Sequence, residues 1–367
     1  LVNTLRLGSQ GLAEFENTAD VLGLTLSRID AAKVEQANDA MNLIRKAFKN
    51  RWWNHDGLVD GEFTQMEANF AMFWGMAIYE YESDLVSGET RFDNFAADWH
   101  GDLSTVEDDG IIDDPANDLT DQEKEGLELF LKQGRCIECH AGSLFTSATV
   151  AEARAEPIED MSMEHISETA SYDNGFYNIG VRPAAEDIGV GGSSPFGPLS
   201  ITRRQKEGFT VKRGPDDPPL QEIPAARHVA DRGAFQVPTL RNVELTGPYM
   251  HNGGMSTLEQ VIEFYARGTD FFDEEFNPDL DPGVGGIGKV RGNQERIDAM
   301  VAFMKTLTDE RVRYRKAPFD HPQITVPNGH ISGGHDRMKR SAEVGADGGA
   351  PLKSFIELLQ SGGFRAP

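Results

Sequence analysis

The sequence has little cysteine, and this scarcity argues against several kinds of site. Only Cys136 and Cys139 occur in 367 residues, so there is no disulfide framework. A structural zinc site needs four Cys or His ligands, and the chain has no second CxxC or HxxxH pair. A thioredoxin-like CxxC needs a βαβ context, whereas a helical segment precedes this one. A disulfide between the two cysteines would close too small a loop to add much stability.

Basic residues are also in deficit. The chain has 35 Lys and Arg against 60 Asp and Glu, a net charge of −25. This charge disfavours binding to nucleic acid or to an anionic membrane. It would steer a basic partner protein toward the chain, and it serves plain solubility equally well. No run of 18 or more apolar residues occurs, so no membrane span is predicted. The length and a hydrophobic content of 39% indicate a globular protein of one large domain or two.

The two cysteines belong to the pentapeptide Cys136-Ile137-Glu138-Cys139-His140, which has the form of the attachment motif for a c-type haem. Because nine of the 367 residues are His, a His would follow the second Cys by chance only about one time in forty. In such a motif the two thiols add to the porphyrin vinyl groups, and the imidazole becomes the proximal ligand of the iron. Haem attachment of this kind takes place outside the cytoplasmic membrane. The motif therefore predicts one covalent haem c and a periplasmic or otherwise extracytoplasmic location.

The hydrophobic pattern before the motif is helical. Apolar residues recur at steps of three and four between Gly61 and Leu85, which predicts a long amphipathic helix. Thr120 and Glu123 form a capping box that begins another helix. We expect this second helix to lead directly to Cys136.

Beyond the motif, helical signals are separated by long stretches without periodicity. Ser256 and Glu259 form a further capping box, and another helix is predicted from about Gln294 to Leu307. Residues 152–232 are rich in Gly, Pro, Asp and Glu and are predicted to be mostly irregular.

These signals predict a mainly α fold. Its centre is a cytochrome-c-like haem domain over residues 116–320, with long irregular insertions. A helical N-terminal portion is expected over residues 1–115. The proline- and glycine-containing tail over residues 321–367 is expected to form an extended strap.

The second axial ligand of the iron decides between electron transfer and catalysis. By chemistry the candidates are two methionines, two histidines and a tyrosine: Met250, Met255, His251, His228 and Tyr265. The spacing of these residues does not choose among them.

Several long segments resemble the bacterial dihaem cytochrome c peroxidases and MauG-type proteins, and they cover most of the chain. The segments are Phe63–Phe70, Gly134–Cys136, Phe235–Asn242, Leu245–Gly253, Thr257–Glu259 and Ala317–Pro322. In that family the second ligand of the C-terminal haem is a Met in peroxidases and a Tyr in MauG-type proteins. The matching position, 14 residues beyond His251, is Tyr265. The resemblance thus implies an iron ligated by His140 and Tyr265.

The resemblance implies two further sites. The family binds a calcium ion partly through backbone carbonyls of a Leu-Thr-x-Pro turn, which are those of Thr246 and Pro248 in this chain. The stretch from Gly11 to Glu16 resembles the segment that carries the distal acid of the peroxidatic haem, which would make Glu16 the acid–base group for O–O cleavage. An exposed acidic residue without a catalytic role remains an equal alternative for Glu16.

The chain departs from the family in one respect. Family members carry two CxxCH motifs, whereas this chain has one. Reduction of peroxide to water takes two electrons, and one iron cycling between ferric and ferrous supplies only one. The chain begins at Leu1 with neither Met nor a signal peptide, so we expect a processed or truncated product whose second haem domain is separate or lies upstream.

The predicted function is the electron-transferring C-terminal half of a dihaem cytochrome c peroxidase or MauG-like oxidoreductase, and hence part of an enzyme. The expected partners are a second haem-bearing domain or chain and a small donor protein of the cytochrome c or cupredoxin type. A non-enzymatic monohaem electron carrier, or a cytochrome subunit of a larger redox complex, is the alternative. A third possibility is an oxygenase-type activity on an organic substrate.

Overall fold

The computed structural model describes residues 41–362 apart from 99–117, 164–167, 212–213, 215, 285–289, 291 and 332–334. The described residues form two compact units. The first contains the residues up to Val86 together with Tyr314–Ala350, and the second contains Ser87–Arg313 together with the segment that starts at Pro351. Among the described residues, no helix combines the length and apolar character that a membrane span requires.

Helices and short strands alternate along the described residues, and residues 41–47 are also helical. The α-helices are α1 (Gln65–Ala68), α2 (Phe70–Ser83), α3 (Arg91–Asp98), α4 (Asp121–Leu131), α5 (Val150–Ala155), α6 (Ile201–Lys206), α7 (Leu258–Ala266), α8 (Gln294–Lys305), α9 (Glu310–Tyr314) and α10 (Phe355–Gln360). The strands are β1 (Ile158–Met163), β2 (Glu168–Asp173), β3 (Phe176–Tyr177), β4 (Ser193–Ser194), β5 (Gly197–Pro198), β6 (His228–Val229), β7 (Phe235–Gln236), β8 (Ile324–Ile331) and β9 (His335–Ser341).

The first unit contains α1, α2 and a small core of Ile44, Met66 and Phe73. The single helix predicted from Gly61 to Leu85 is two helices. The backbone leaves the helical range at Asn69, where φ is −93° and ψ is 8°, and α2 begins at the next residue. The periodic apolar pattern continues across Asn69, so the pattern alone could not reveal the break between the two helices.

The tail is not the extended strap that was expected. Strands β8 and β9 form an antiparallel hairpin with an irregularity between Pro327 and His330. A helix, α10, follows, and Ser354 and Glu357 form a capping box at its start. Pro327 and Gly329 lie within β8 at this irregularity, which is a position where strands tolerate both residue types.

The second unit is built around the pair α4 and α8. Their buried side chains, among them Leu127, Phe130, Met300 and Phe303, belong to one hydrophobic core. The helices approach closely at Gly126, where a Cβ atom would lie 2.6 Å from the carbonyl carbon of Ala299. A glycine is required there because any side chain would force the two helices apart.

The capping box before α4 is confirmed. Thr120 Oγ1 accepts from the backbone N–H of Glu123, and the Glu123 carboxylate accepts from the backbone N–H of Thr120 at 2.7 Å. The same carboxylate accepts two hydrogen bonds from the Arg91 guanidinium, at 2.6 and 2.7 Å. This cap therefore also ties α3 to α4.

The capping box before α7 lies one residue later than predicted. The cap is Thr257 with Gln260, in place of Ser256 with Glu259. The Gln260 amide oxygen accepts from the backbone N–H of Ser256 at 2.7 Å and of Thr257 at 3.3 Å. Both pairs satisfy the sequence pattern, and tertiary packing selects the register.

The stretch over residues 152–232 contains more regular structure than expected. Strands β1 and β2 pair antiparallel, and β6 joins β2 in parallel to complete a three-stranded sheet. With three further strand pairs among the described residues, the fold is mixed, and the expectation of a mainly α fold was wrong in that respect. Only the ends of β1, Ile158 and Met163, are buried, so its pattern did not alternate as an amphipathic strand should.

Candidate functional site

Helix α4 delivers the chain to the CxxCH motif through a tight turn. The backbone N–H of Gly134 donates to the Leu129 carbonyl at 2.7 Å, and a Cβ atom on Gly134 would lie 3.2 Å from the Cys136 sulfur. A short 3-10 helix, Cys136–Glu138, follows. The backbone N–H of His140 then donates to the Cys136 carbonyl at 2.8 Å, so the cysteines and the histidine lie on one compact turn.

The two cysteines are free thiols, and both are half-buried. Burial raises the pKa of each thiol to about 12. Reactive dithiols and zinc-binding cysteines instead need a readily formed thiolate. In the part of the chain that the structure describes, no group of three or more Cys, His, Asp or Glu residues is placed to hold a metal ion. Both findings favour haem attachment over a dithiol or zinc site.

His140 is held in the form that ligates iron. Its Nδ1 lies 3.0 Å from the carbonyl oxygen of Phe145. Because a carbonyl can only accept, Nδ1 carries the proton and Nε2 keeps its lone pair. Burial lowers the pKa of His140, and the carbonyls of Phe145 and Pro238 oppose that shift without reversing it. The ring is therefore neutral at pH 7, with Nε2 available to a metal.

Tyr265, on α7, faces the same turn. Burial raises its pKa, and the sulfurs of Cys139 and Cys136 raise it further, followed by the Asp281 carboxyl. Its ring packs against both the α4–α8 core and the cluster around Phe264. Within the described residues its hydroxyl makes no hydrogen bond. A phenol in this position, near the two cysteines of a haem-attachment motif, has the chemistry of an iron ligand.

The other candidate axial ligands fall into two groups. Both histidines are engaged by carboxylates: His228 Nε2 lies 2.6 Å from Asp279, and His251 Nε2 is hydrogen-bonded to Asp187. The ring of His251 also stacks on Phe235 with centroids 3.7 Å apart.

Neither methionine is paired in this way. Met255 is buried in the cluster that contains Val181 and Phe264, and Met250 borders the same cluster, as Tyr265 does. Met250 has a left-handed backbone, with φ of 64°. Among the five candidates, Tyr265, Met250 and Met255 thus remain.

Of the other predicted site residues, Glu16 lies outside the described residues. Thr246 and Pro248 lie in the turn after the 3-10 helix Val243–Leu245. Within the described residues, neither of their carbonyl oxygens accepts a hydrogen bond. Both oxygens are therefore available to a cation.

Sequence reasoning missed the residues that hold His140 in place. The role of the Phe145 carbonyl could not be predicted from the type of residue, because every residue has a backbone carbonyl. Thr239 and Arg241, which fasten the loop before Phe145, lie in the segment Phe235–Asn242 that the sequence analysis had singled out only for its resemblance. Asp281, whose pKa burial raises, was also missed.

Comparison with known proteins gives consistent matches, although no family model matches the chain. Cytochrome c551 peroxidase of Nitrosomonas europaea is 27% identical over 239 residues, which are 65% of this chain and 45% of that protein. Cytochrome-c peroxidase IdrP2 of Denitromonas iodatirespirans is 27% identical over 240 residues, 64% of this chain and 50% of that protein. The methylamine utilization protein MauG of Paracoccus denitrificans is 36% identical over 127 residues, 31% of this chain and 32% of that protein.

The chain thus spans half or less of the length of these relatives. The peroxidases and MauG are the two groups that the sequence motifs had indicated. The site described above supplies the residue types that attach and ligate a c-type haem. The chain is thus similar to cytochrome c peroxidases over about two thirds of its length and to MauG over about a third of it.

Proposed function

We propose that the chain is the electron-transferring, C-terminal haem part of a peroxidase or MauG-like oxidoreductase that acts on hydrogen peroxide. The observation that carries this proposal is the state of His140. Its Nδ1 lies 3.0 Å from the Phe145 carbonyl oxygen, which it can contact only as a donor, and its ring lies on the turn that carries both cysteines. The helical surroundings of this turn, α4 packed on α8, support the cytochrome-c-like character of the domain.

Each side chain has a defined role in this proposal. Cys136 and Cys139 would tether the porphyrin, and His140 would hold the iron through Nε2. Tyr265 would also hold the iron, through its hydroxyl oxygen. Burial raises the pKa of that phenol, so Tyr265 would keep its proton in the chain without haem. When bound, the haem supplies one-electron transfer, and a tyrosinate ligand favours its ferric state.

In this proposal the two electrons that reduce peroxide to water come from two redox centres. We propose that a second haem-bearing domain or chain supplies the second centre, with Glu16 as its acid–base group. A small cytochrome c or cupredoxin would donate electrons, and the net charge of −25 would attract a basic donor. The carbonyls of Thr246 and Pro248 contribute to a calcium site. A periplasmic location follows from the chemistry of haem attachment.

The first test is a haem count on the protein produced with a periplasmic haem-attachment system. Intact mass and the pyridine haemochrome spectrum should both give one covalent haem per chain. The variant Cys136→Ala should keep at most one thioether bond, and the double variant with Cys139→Ala should lose covalent haem. A wild-type protein without haem would end the proposal.

The second test concerns the axial ligand. Electron paramagnetic resonance of the ferric protein should show His/Tyr ligation, and Tyr265→Phe should abolish it. The variants Met250→Leu and Met255→Leu, which change the other remaining candidates, are the matched controls and should leave the spectrum unchanged. A His/Met spectrum in the wild-type protein would contradict the role of Tyr265.

A monohaem electron carrier is the second candidate, and the single CxxCH motif favours it. The two functions differ in their response to a second haem domain. The isolated chain should not turn over peroxide in either case. Activity that appears when a separately produced haem-bearing N-terminal domain is added would identify the half-enzyme, whereas electron exchange with small redox proteins alone would identify the carrier.

A further inference from the structure

The loop that follows His140, Ser143–Thr146, is fastened by a single distant segment, Val237–Arg241. Three side-chain hydrogen bonds join the two: Thr146 Oγ1 donates to the Val237 carbonyl at 2.7 Å, Thr239 Oγ1 to the Leu144 carbonyl at 2.5 Å, and Arg241 Nε to the Ser143 carbonyl at 2.7 Å. Over 90 residues of sequence separate the two segments in each bond. The loop is thus positioned by tertiary contacts.

Phe145 is the critical residue of this loop, because its carbonyl accepts the Nδ1–H of His140. Its φ is 50°, in the left-handed region that residues with a Cβ atom avoid. The ring holds this conformation by packing in the core, with its centroid 5.2 Å from that of Phe92. The guanidinium carbon of Arg241 lies 5.9 Å from the centre of the Phe145 ring.

Arg241 is itself rigidly held. Its Nη1 and Nη2 donate to the two carboxylate oxygens of Asp93 at 2.9 and 2.7 Å, and Nη1 also donates to the Ser87 carbonyl at 2.6 Å. Thr90 donates to Asp93 through its backbone N–H and its hydroxyl, at 3.0 and 2.8 Å. Only 10% of the Arg241 side chain is exposed. A planar, bidentate pair of this kind fixes the guanidinium in both position and orientation.

On the basis of the haem ligation proposed above, we propose that Arg241, clamped by Asp93, is a positioning residue for the proximal ligand. Arg241 holds the Ser143–Thr146 loop so that the Phe145 carbonyl stays aligned with Nδ1 of His140. The strength of that hydrogen bond sets how much electron density the imidazole gives to the iron. The Arg241–Asp93 pair, called the clamp below, therefore tunes the reduction potential of a metal that neither residue contacts.

The direction of the effect follows from the charge on the ring. A strong Nδ1–H···O=C bond makes Nε2 a better donor and favours the ferric iron. Loosening the loop weakens this bond and moves the midpoint potential to a more positive value. Partners of metal ligands commonly change the behaviour of the site by about 10-fold or more. A 10-fold change in the ferric-to-ferrous preference corresponds to about 59 mV for one electron.

The experiment measures the midpoint potential of the haem-loaded chain by spectroelectrochemistry, with the iron–histidine stretching frequency from resonance Raman as a second readout. Arg241→Gln removes the clamp, and Arg241→Lys keeps the charge but not the bidentate geometry. The matched control is Arg203→Lys. Arg203 makes a similar two-point pair with the buried Asp231, and within the described residues its side-chain hydrogen bonds do not reach the His140 loop.

We expect the potential to rise by about 59 mV in Arg241→Gln, with a smaller rise in Arg241→Lys and none in Arg203→Lys. The iron–histidine frequency should fall in the same order. Equal potentials in all four proteins would overturn the proposal even if the Arg241 variants unfold more easily, since a merely structural role predicts that result. Where Arg241→Gln does not accumulate, Thr239→Val removes one fastening bond with little change in shape, and an unchanged potential in that variant would also refute it. Absence of haem from the wild-type chain would instead count against the proposed function.

Discussion

The contact between α4 and α8 gives a sharp stability prediction. Gly126→Ala adds one methyl group at the point where the two helices are closest. The new Cβ atom would lie 2.6 Å from the Ala299 carbonyl carbon and 2.8 Å from Cβ of Phe303, and closer still to the Ala299 carbonyl oxygen. Carbon atoms in contact prefer about 3.5 Å or more. The helices would have to separate by about 1 Å to admit the methyl group.

Two effects of opposite sign determine how much the substitution changes the free energy of unfolding. Overpacking a well-packed core costs up to about 3 kcal/mol, and the upper end applies because backbone atoms must move. Alanine has a higher helix propensity than glycine, and this difference stabilises the helix by about 1 kcal/mol. We therefore expect a loss of about 2 kcal/mol in the free energy of unfolding. With an m-value of about 3 kcal/mol/M, the urea midpoint should fall by about 0.7 M.

The assay is urea unfolding followed by Soret absorption for the haem unit and by far-UV circular dichroism for the whole chain. Gly75→Ala is the matched control, because Gly75 lies inside α2 and a Cβ atom there would meet nothing within 4 Å. That variant should gain up to about 1 kcal/mol from helix propensity alone. If Gly126→Ala were as stable as Gly75→Ala, close packing of α4 on α8 would be refuted.

The remaining predictions concern the capping box and the carboxylates. Thr120→Ala should lower the free energy of unfolding by about 1 kcal/mol through loss of the cap, and Ser361→Ala, which lies past the end of α10, should leave it unchanged in the same urea assay. Burial raises the pKa of Asp93, Glu123 and Asp309, but hydrogen bonds from arginine and the backbone lower it by a larger amount. The pKa of each carboxyl therefore lies below its ordinary value. The stability from these groups is complete above their unfolded pKa of about 4 and is lost as the pH falls through the lower folded values. Unfolding midpoints of Asp93→Asn measured from pH 7 to pH 2 should therefore approach those of the wild-type chain at acid pH, and a gap that stays constant would contradict this sign.

The parts of the fold that local sequence determines could be predicted. The start of α4 and the span of α8 follow from a cap and from periodic apolar residues, and both are found where expected. The start of α7 is misplaced by one residue because Ser256 and Thr257 both satisfy the capping pattern. The sheet could not be predicted, because its parallel pairing of β2 with β6 joins Ala170 to His228 across a long intervening stretch. Strands that pair across so many residues of sequence are not indicated by any local periodicity.

The same distinction applies to the site. Cys136, Cys139 and His140 are adjacent in sequence, and their spacing alone indicates the chemistry. Tyr265 was one of five candidates by chemistry, and only the resemblance selected it, since its place on the apolar face of α7 is equally that of a core tyrosine. The clamp on the His140 loop is invisible to local reasoning, because its donors lie over 90 residues from their acceptors and its acceptors are backbone carbonyls.

Core packing and the candidate haem site are not independent in this chain, because α4 belongs to both. The buried face of α4 packs on α8, and the C-terminal end of α4 leads into the turn that carries Cys136. Gly134 lies at this junction: a Cβ atom there would be 2.8 Å from the Leu129 carbonyl, 3.1 Å from the Met300 side chain and 3.2 Å from the Cys136 sulfur. A displacement of α4 against α8 must therefore move the first haem-attaching sulfur relative to the core. For this reason Gly126→Ala should alter the Soret spectrum of the folded protein as well as its stability, whereas Thr120→Ala, at the far end of the helix, should alter stability alone.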